Sequence, residues 1–149
     1  FKLEGEQRDL HRFLRDLEQG LIAALRGWGL DGETIPGRTG VWVGGEKIAS
    51  IGVAVRRWVS YHGFALNVAP DLRFFDLIHP CGLRGIHMTS LASKLGPAAP
   101  TLAGAREAVA THLARQMGCA GCTWATADEA RRLAAADHSD TIEPAGAAR

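Results

Sequence analysis

The sequence predicts a domain of mixed helix and sheet, with neighbouring antiparallel strands flanked by helices. Three observations predict it. An apolar stripe at spacings of three and four opens the chain. Short β-prone runs separated by Gly- and Pro-containing turns fill its middle. A second stripe at helical spacing follows them.

Leu10, Phe13, Leu14, Leu17, Leu21, Leu25 and Trp28 make one apolar helix face, with Arg, Asp, Glu and Gln assigned to the other. Gly27 and Gly29 are its natural stop. Asp31 to Thr39, with Pro36 and two glycines, reads as a loop. Val41-Trp42-Val43 is a short strand, Gly44-Gly45 a turn, and Lys47 to Val55 a second strand, so the two form a hairpin. Arg56-Arg57-Trp58 begins the next connection, and Tyr61 to Val68 is a third strand ending before Pro70. Asp71 to Leu77 suits a single helical turn. Leu102, Ala105, Val109, Leu113 and Met117 form the second amphipathic helix, closed by Gly118. Residues 1–126 are expected to be one domain. Residues 127–149, rich in alanine, are expected to give at most a short helix over Ala127 to Ala136 and then a disordered tail.

The 149 residues suit one core. A net charge of +1 argues against a strongly electrostatic nucleic-acid binder, although Arg56-Arg57 could join a local basic patch. No apolar run approaches the ~20 residues that span a bilayer, and nothing reads as a secretion signal. Three cysteines argue against a disulfide framework and for a reducing cytoplasm. No Walker loop or dinucleotide fingerprint is present, so no cofactor is expected. Cys119 and Cys122 form a CxxC near His112 and His138, but without a second ligand pair no metal site is expected.

Two residues stand in local sequences that ordinary packing does not explain. Lys47 follows Gly44-Gly45-Glu46 and leads into Ile48-Ala49-Ser50-Ile51-Gly52, which reads as a strand that buries part of it. Cys81 lies between Pro80, which fixes the backbone before it, and Gly82, which permits close approach after it. A thiolate is the nucleophilic form of cysteine, and a neighbouring lysine favours it. His62 and His79 are rival bases, because Cys-His pairing is the commoner arrangement. His62 is equally well explained as a hydrogen-bonded core histidine. Glycines at Gly52 and Gly63 either admit a ligand close to the backbone or mark bulges. Thr89-Ser90-Leu91 either lines the same pocket or caps a helix.

The order of these blocks, with Arg56 to Val68 between them and Thr89-Ser90-Leu91 after, resembles the octanoyltransferases of lipoate biosynthesis, in the biotin/lipoate protein ligase superfamily. The match runs over about Gly37 to Leu91. The resemblance implies an α/β (α+β) fold with a mixed, largely antiparallel sheet flanked by helices. It implies Cys81 and Lys47 as the catalytic pair, with Lys47 depressing the thiol's pKa and shuttling protons. It implies Ser50, Ile51, Gly52, His62, Gly63, Phe64 and Ala65 as substrate-binding residues.

The donor implied is octanoyl-acyl carrier protein. The acceptors implied are lysines of lipoyl domains in 2-oxoacid dehydrogenase complexes and of the glycine cleavage H protein. Family members carry upstream Arg-Gly-Gly and His-Gly-Pro-Gly-Gln blocks that do not occur here, so the chain is expected to be N-terminally truncated. Two readings compete with transfer. One is a thiol hydrolase pairing Cys81 with His62 or His79. The other is a non-catalytic remnant that binds carrier protein or lipoyl domain without turnover. A lipoate or biotin ligase is a weaker option, because adenylation does not need the Lys-Cys pair.

Overall fold

Asp9 starts the first helix by accepting hydrogen bonds from the His11 and Arg12 amides at 2.9 and 3.1 Å. In the computed structural model, residues 1–5, 8–77 and 85–138 are described, with backbone alone at 76 and 133–138. Helix α1 spans Leu10–Gly27 and buries Phe13, Leu17, Leu21 and Leu25, as the stripe requires. Leu10, at its outer end, stays 40% exposed. Gly29, with φ 75°, turns the chain out of the helix.

Four strands follow, β1 (Gly32–Ile35), β2 (Arg38–Val43), β3 (Glu46–Arg56) and β4 (Val59–Leu66). They pair antiparallel in sequence order. The expected loop over Asp31 to Thr39 is instead the hairpin of β1 with the start of β2. Pro36 and Gly37, which read as loop markers, form only its tight turn, with Gly37 at φ 75°. Gly44 and Gly45 both take positive φ, the pairing that a two-residue hairpin turn demands. Arg57 and Trp58 do the same between β3 and β4, at φ 51° and 63°. There the cost of left-handed backbone falls on side-chain-bearing residues. The third strand therefore starts at Val59, two residues before its expected start.

The expected turn over 71–77 is a 3-10 helix, Leu72–Leu77. Ser90 caps a short helix α2 (Leu91–Leu95), its hydroxyl accepting from the Ser93 amide at 3.1 Å. Helix α3 spans Leu102–Gln116, capped by Thr101, and buries Ala105, Val109 and Leu113. It crosses α1 closely, since a Cβ at Gly20 would stand 2.5 Å from Leu113 Cδ2. Helix α4 (Ala127–His138) opens with a reciprocal cap. Thr126 Oγ1 accepts from the Glu129 amide, and the Glu129 carboxylate accepts from the Thr126 amide.

The core lies between one sheet face and the pair α1 and α3. A second set of contacts fixes the end of β3. Asn67, buried just past β4, accepts from the Leu91 amide and donates Nδ2 to the Thr89 carbonyl. The stretch 87–89 thereby takes the place beside β3 that β4 has left. Met88 bridges Lys47 in parallel, so the sheet is mixed at this point only among the described residues.

Lys94 in α2 donates to Glu46 at 2.5 Å, clamping α2 to the start of β3. That hydrogen bond holds the Glu46 carboxyl below its ordinary value of 4.5, and Thr89 and His87 add to the effect. A depressed folded value means that the contribution is complete above the unfolded value. It is lost as pH falls through the folded one. Both side chains reach solvent, so the effect is under ~1 kcal/mol. Glu46→Gln is expected to flatten the fall of unfolding free energy with acid below pH 4.5 by that amount, leaving neutral stability slightly reduced.

Candidate functional site

Lys47 would face the helical core if β3 alternated without interruption, since Ala49, Ile51 and Val53 do. The β2–β3 register prevents this. Trp42 pairs with Lys47 but Val41 pairs with Ala49, so Ile48 is an extra residue on β3. Ile48 and Ala49 both enter the core, and Lys47 is turned to the opposite sheet face with Trp42. Trp42 is buried yet stands apart from the helix-side core cluster. The Lys47 ammonium lies 5.6 Å from its ring centroid, in cation–π range.

Lys47 is completely buried, at 0% exposure. Its amide donates to the His87 carbonyl at 2.8 Å, and its carbonyl accepts from the Thr89 amide at 2.9 Å. Gly40 walls the side chain. A Cβ there would lie 2.6 Å from Lys47 Cε, 3.2 Å from Nζ and 2.6 Å from the Ala49 carbonyl oxygen. Gly40 also has φ 131°, which side-chain-bearing residues rarely adopt. Gly40→Ala is expected to lower stability by more than about 2 kcal/mol, since it adds a backbone clash to conformational strain. The midpoint of urea unfolding would show it.

The same face continues along β3 and β4 as Ser50, Gly52 and Ala54 beside Ala65, Gly63 and Tyr61. Gly52 and Gly63 are directly paired, and a Cβ on either would meet nothing within 4 Å. Neither has positive φ. Among the described residues nothing requires either to be glycine, and glycine inside a strand weakens it by about 0.5–1 kcal/mol relative to alanine. Such a pair leaves the backbone open to close approach by a ligand or by another backbone segment.

The expected substrate-binding residues thus divide. Ser50, Gly52, Gly63 and Ala65 share the Lys47 face. Ile51, His62 and Phe64 belong to the helix-facing side. Phe64 lines a cavity of about 290 Å³ between β4, α3 and Trp124. His62, at φ 63°, lines one of about 240 Å³ with Phe13, Leu17 and Leu113. The sheet separates both cavities from Lys47. Cys81, with His79, Gly82 and Leu83, lies outside the described residues. The described chain resumes at Gly85, and Met88, seven residues after Cys81, pairs with Lys47. Of the Thr89-Ser90-Leu91 block, Ser90 caps α2 and Thr89 is buried beside Lys47.

Sequence reasoning missed Glu18, Gly40, Trp42 and Asn67. Glu18 carries a visible signal, because it falls in phase with Leu14, Leu21 and Leu25. It belongs to the buried face of α1 and not to the polar one. Its Oε1 accepts from the Gly40 amide at 3.0 Å, and Arg15 pairs with its Oε2 at 2.7 Å. Cys119 and Cys122 are exposed free thiols, and no three His, Cys, Asp or Glu side chains converge among the described residues. No helix among those residues is long and apolar enough to cross a membrane.

The lipoyl protein ligase A/B catalytic domain model matches residues 1–114. Over 94 residues the chain is 60% identical to an octanoyltransferase of Citrifermentans bemidjiense, covering 63% of this chain and 46% of that protein. Over 103 residues it is 52% identical to an octanoyltransferase of Rubrobacter xylanophilus, covering 68% of this chain and 47% of that protein. The chain spans about half the length of these curated relatives.

Among solved structures, protein Ta0514 of T. acidophilum superposes with a TM-score of 0.64 at 18% identity, over 89% of this chain and 55% of that one. A lipoate-protein ligase A bound with ATP gives 0.65 at 16% identity, over 89% and 56%. At such identities the likeness shows the fold, a sheet with flanking helices of the lipoate-protein ligase kind. The match over residues 1–114, with the octanoyltransferase relatives, places the chain in the lipoyl protein ligase A/B catalytic domain family.

Proposed function

We propose that this chain carries the transfer chemistry of an octanoyltransferase. It moves an octanoyl group from octanoyl-acyl carrier protein to a lysine of a lipoyl domain, through a thioester on Cys81. The observation that carries the reading is the burial of Lys47 at one end of a sheet face floored by Ser50, Gly52, Gly63 and Ala65. The relatives described as octanoyltransferases support it.

The Lys47 amine accepts the Cys81 thiol proton, and the thiolate attacks the thioester carbonyl carbon. The tetrahedral intermediate collapses, breaking the bond to the carrier sulfur. The departing carrier thiolate takes the proton back from Lys47. One thioester replaces another, so this half is nearly isoenergetic. The lipoyl lysine amine then attacks the Cys81 thioester, and Lys47 takes a proton from that nitrogen. Cys81 leaves as thiolate and takes that proton from Lys47, which restores both groups, and the amide product draws the sequence forward. Backbone amides after the nucleophile, those of Gly82 and Leu83, are the donors suited to the oxyanion, each such donor being worth ~10²–10³ in rate.

The acyl tail lies along the Gly52–Gly63 floor. Glycine removes side chains that would otherwise hold the tail off the backbone. His62 lines the helix-side cavity, on the sheet face opposite Lys47, so Lys47 and His62 cannot serve one thiolate together. Product analysis separates transfer from hydrolysis. With octanoyl-acyl carrier protein and a lipoyl domain, the proposal requires octanoyl-lysine on the domain. Free octanoate at the same rate with and without the domain would contradict it.

A further inference from the structure

Glu18 is a buried carboxylate on the apolar face of α1, where a leucine would continue the stripe. A charge in that position needs partners, and Glu18 has two. Arg15, one turn earlier and half exposed, supplies an ion pair at 2.7 Å. The other partner is the Gly40 amide, 22 residues away on β2, at 3.0 Å. Helix packing alone does not call for this second bond. Gly40 has φ 131° and forms the wall against Lys47 Cε and Nζ. An amide in a distorted strand, short of regular ladder partners, is held by a carboxylate reaching across the core.

We infer that Glu18 is a positioning residue for Lys47: it reaches from α1, on the opposite side of the sheet, to fix the Gly40 backbone that walls the lysine side chain. The importance of that placement rests on the proposed role of Lys47 in transfer. The contact has the geometry the role needs. The carboxylate stays on the helix side, the glycine transmits its hold through the backbone, and the lysine is confined between Gly40 and the Trp42 ring. Arg15 offsets the charge of Glu18 without contributing to the wall.

The test reads the burial of Lys47 directly. The full chain is acetylated with an N-hydroxysuccinimide ester, and labelling at Lys47 is mapped by mass spectrometry against exposed Lys2. Glu18→Leu removes the acceptor. It is expected to raise Lys47 labelling relative to Lys2 by about tenfold or more through local opening, with far-UV circular dichroism unchanged. Glu18→Gln keeps an acceptor oxygen and is expected to stay within about twofold of the unaltered chain. A folded Glu18→Leu chain with Lys47 still protected overturns the inference. So does a Glu18→Gln chain labelled as fast as Glu18→Leu. Should Glu18→Leu not fold, Glu18→Asp carries the test, because it keeps the charge but falls one methylene short of Gly40. It should show the same rise, and continued protection overturns the inference. If Lys47 responds as stated while even the unaltered chain forms no octanoyl thioester, the positioning role stands and the proposed reaction falls.

Discussion

Octanoyl transfer is expected to fall by about 10²–10⁴-fold when Lys47 is replaced by methionine, the range a positioned proton-transfer group contributes. Methionine is the informative substitution, because it keeps most of the stem against Trp42 and Gly40 while removing the amine. Alanine would also open a cavity in a fully buried site, and its loss would mix folding with chemistry. The two half-reactions should both slow, since in the proposed reaction the amine takes a proton from the Cys81 thiol in one and from the acceptor amine in the other. Single-turnover acylation of Cys81, followed by mass, isolates the first. Acylation at the unaltered rate in a folded Lys47→Met chain would remove Lys47 from the mechanism.

The second large effect comes from the glycine floor. Gly52→Leu places a side chain where a Cβ meets nothing within 4 Å among the described residues, so the described fold accommodates it. The proposed acyl tail does not. Octanoyl transfer should drop by about 10² or more in kcat/KM, the cost of excluding a bound group from its pocket. The fold should remain intact. Gly52→Ala makes the sharper case, because alanine in a strand interior adds about 0.5–1 kcal/mol of stability. A variant that melts higher and transfers more slowly is the signature of a glycine retained for ligand approach. If Gly52→Leu and Gly63→Leu both fold and transfer at the unaltered rate, the acyl tail runs elsewhere. The cavity between Phe64, α3 and Trp124 would be the next place to look.

The helices were legible because a 3.6-residue stripe reports a one-sided contact: α1 buries Phe13, Leu17, Leu21 and Leu25 and α3 buries Ala105, Val109 and Leu113, while Leu10 and Leu102 at the outer ends of the stripes stay exposed. The β2–β3 hairpin was legible because Gly44-Gly45, between two β-prone runs, supplies the positive φ that a two-residue turn needs at both positions without steric cost. The β1 strand was hidden because Gly32-Glu33-Thr34-Ile35 has one large apolar residue, and its pairing comes from β2. The division of the expected substrate residues was hidden by the bulge. Ser50 to Gly52 and Gly63 to Ala65 were named as whole segments. Strand alternation sends every second side chain to the helices, and only the register at Ile48 shows which face Lys47 takes. Burial of Lys47 was legible in part from the apolar residues that follow it, whereas its setting beside a Gly-Gly turn reads by itself as a surface charge and its catalytic role was implied only by the family resemblance. Glu18 and Gly40 were not, because their contact joins residues 22 apart through a backbone amide.

Intact mass after incubation with octanoyl-acyl carrier protein tests the central claim most directly. The account predicts one added octanoyl group, mapped to Cys81, absent from Cys81→Ser and slow to appear in Lys47→Met. A folded chain that gains no octanoyl group, or that carries it at any residue but Cys81, would contradict it.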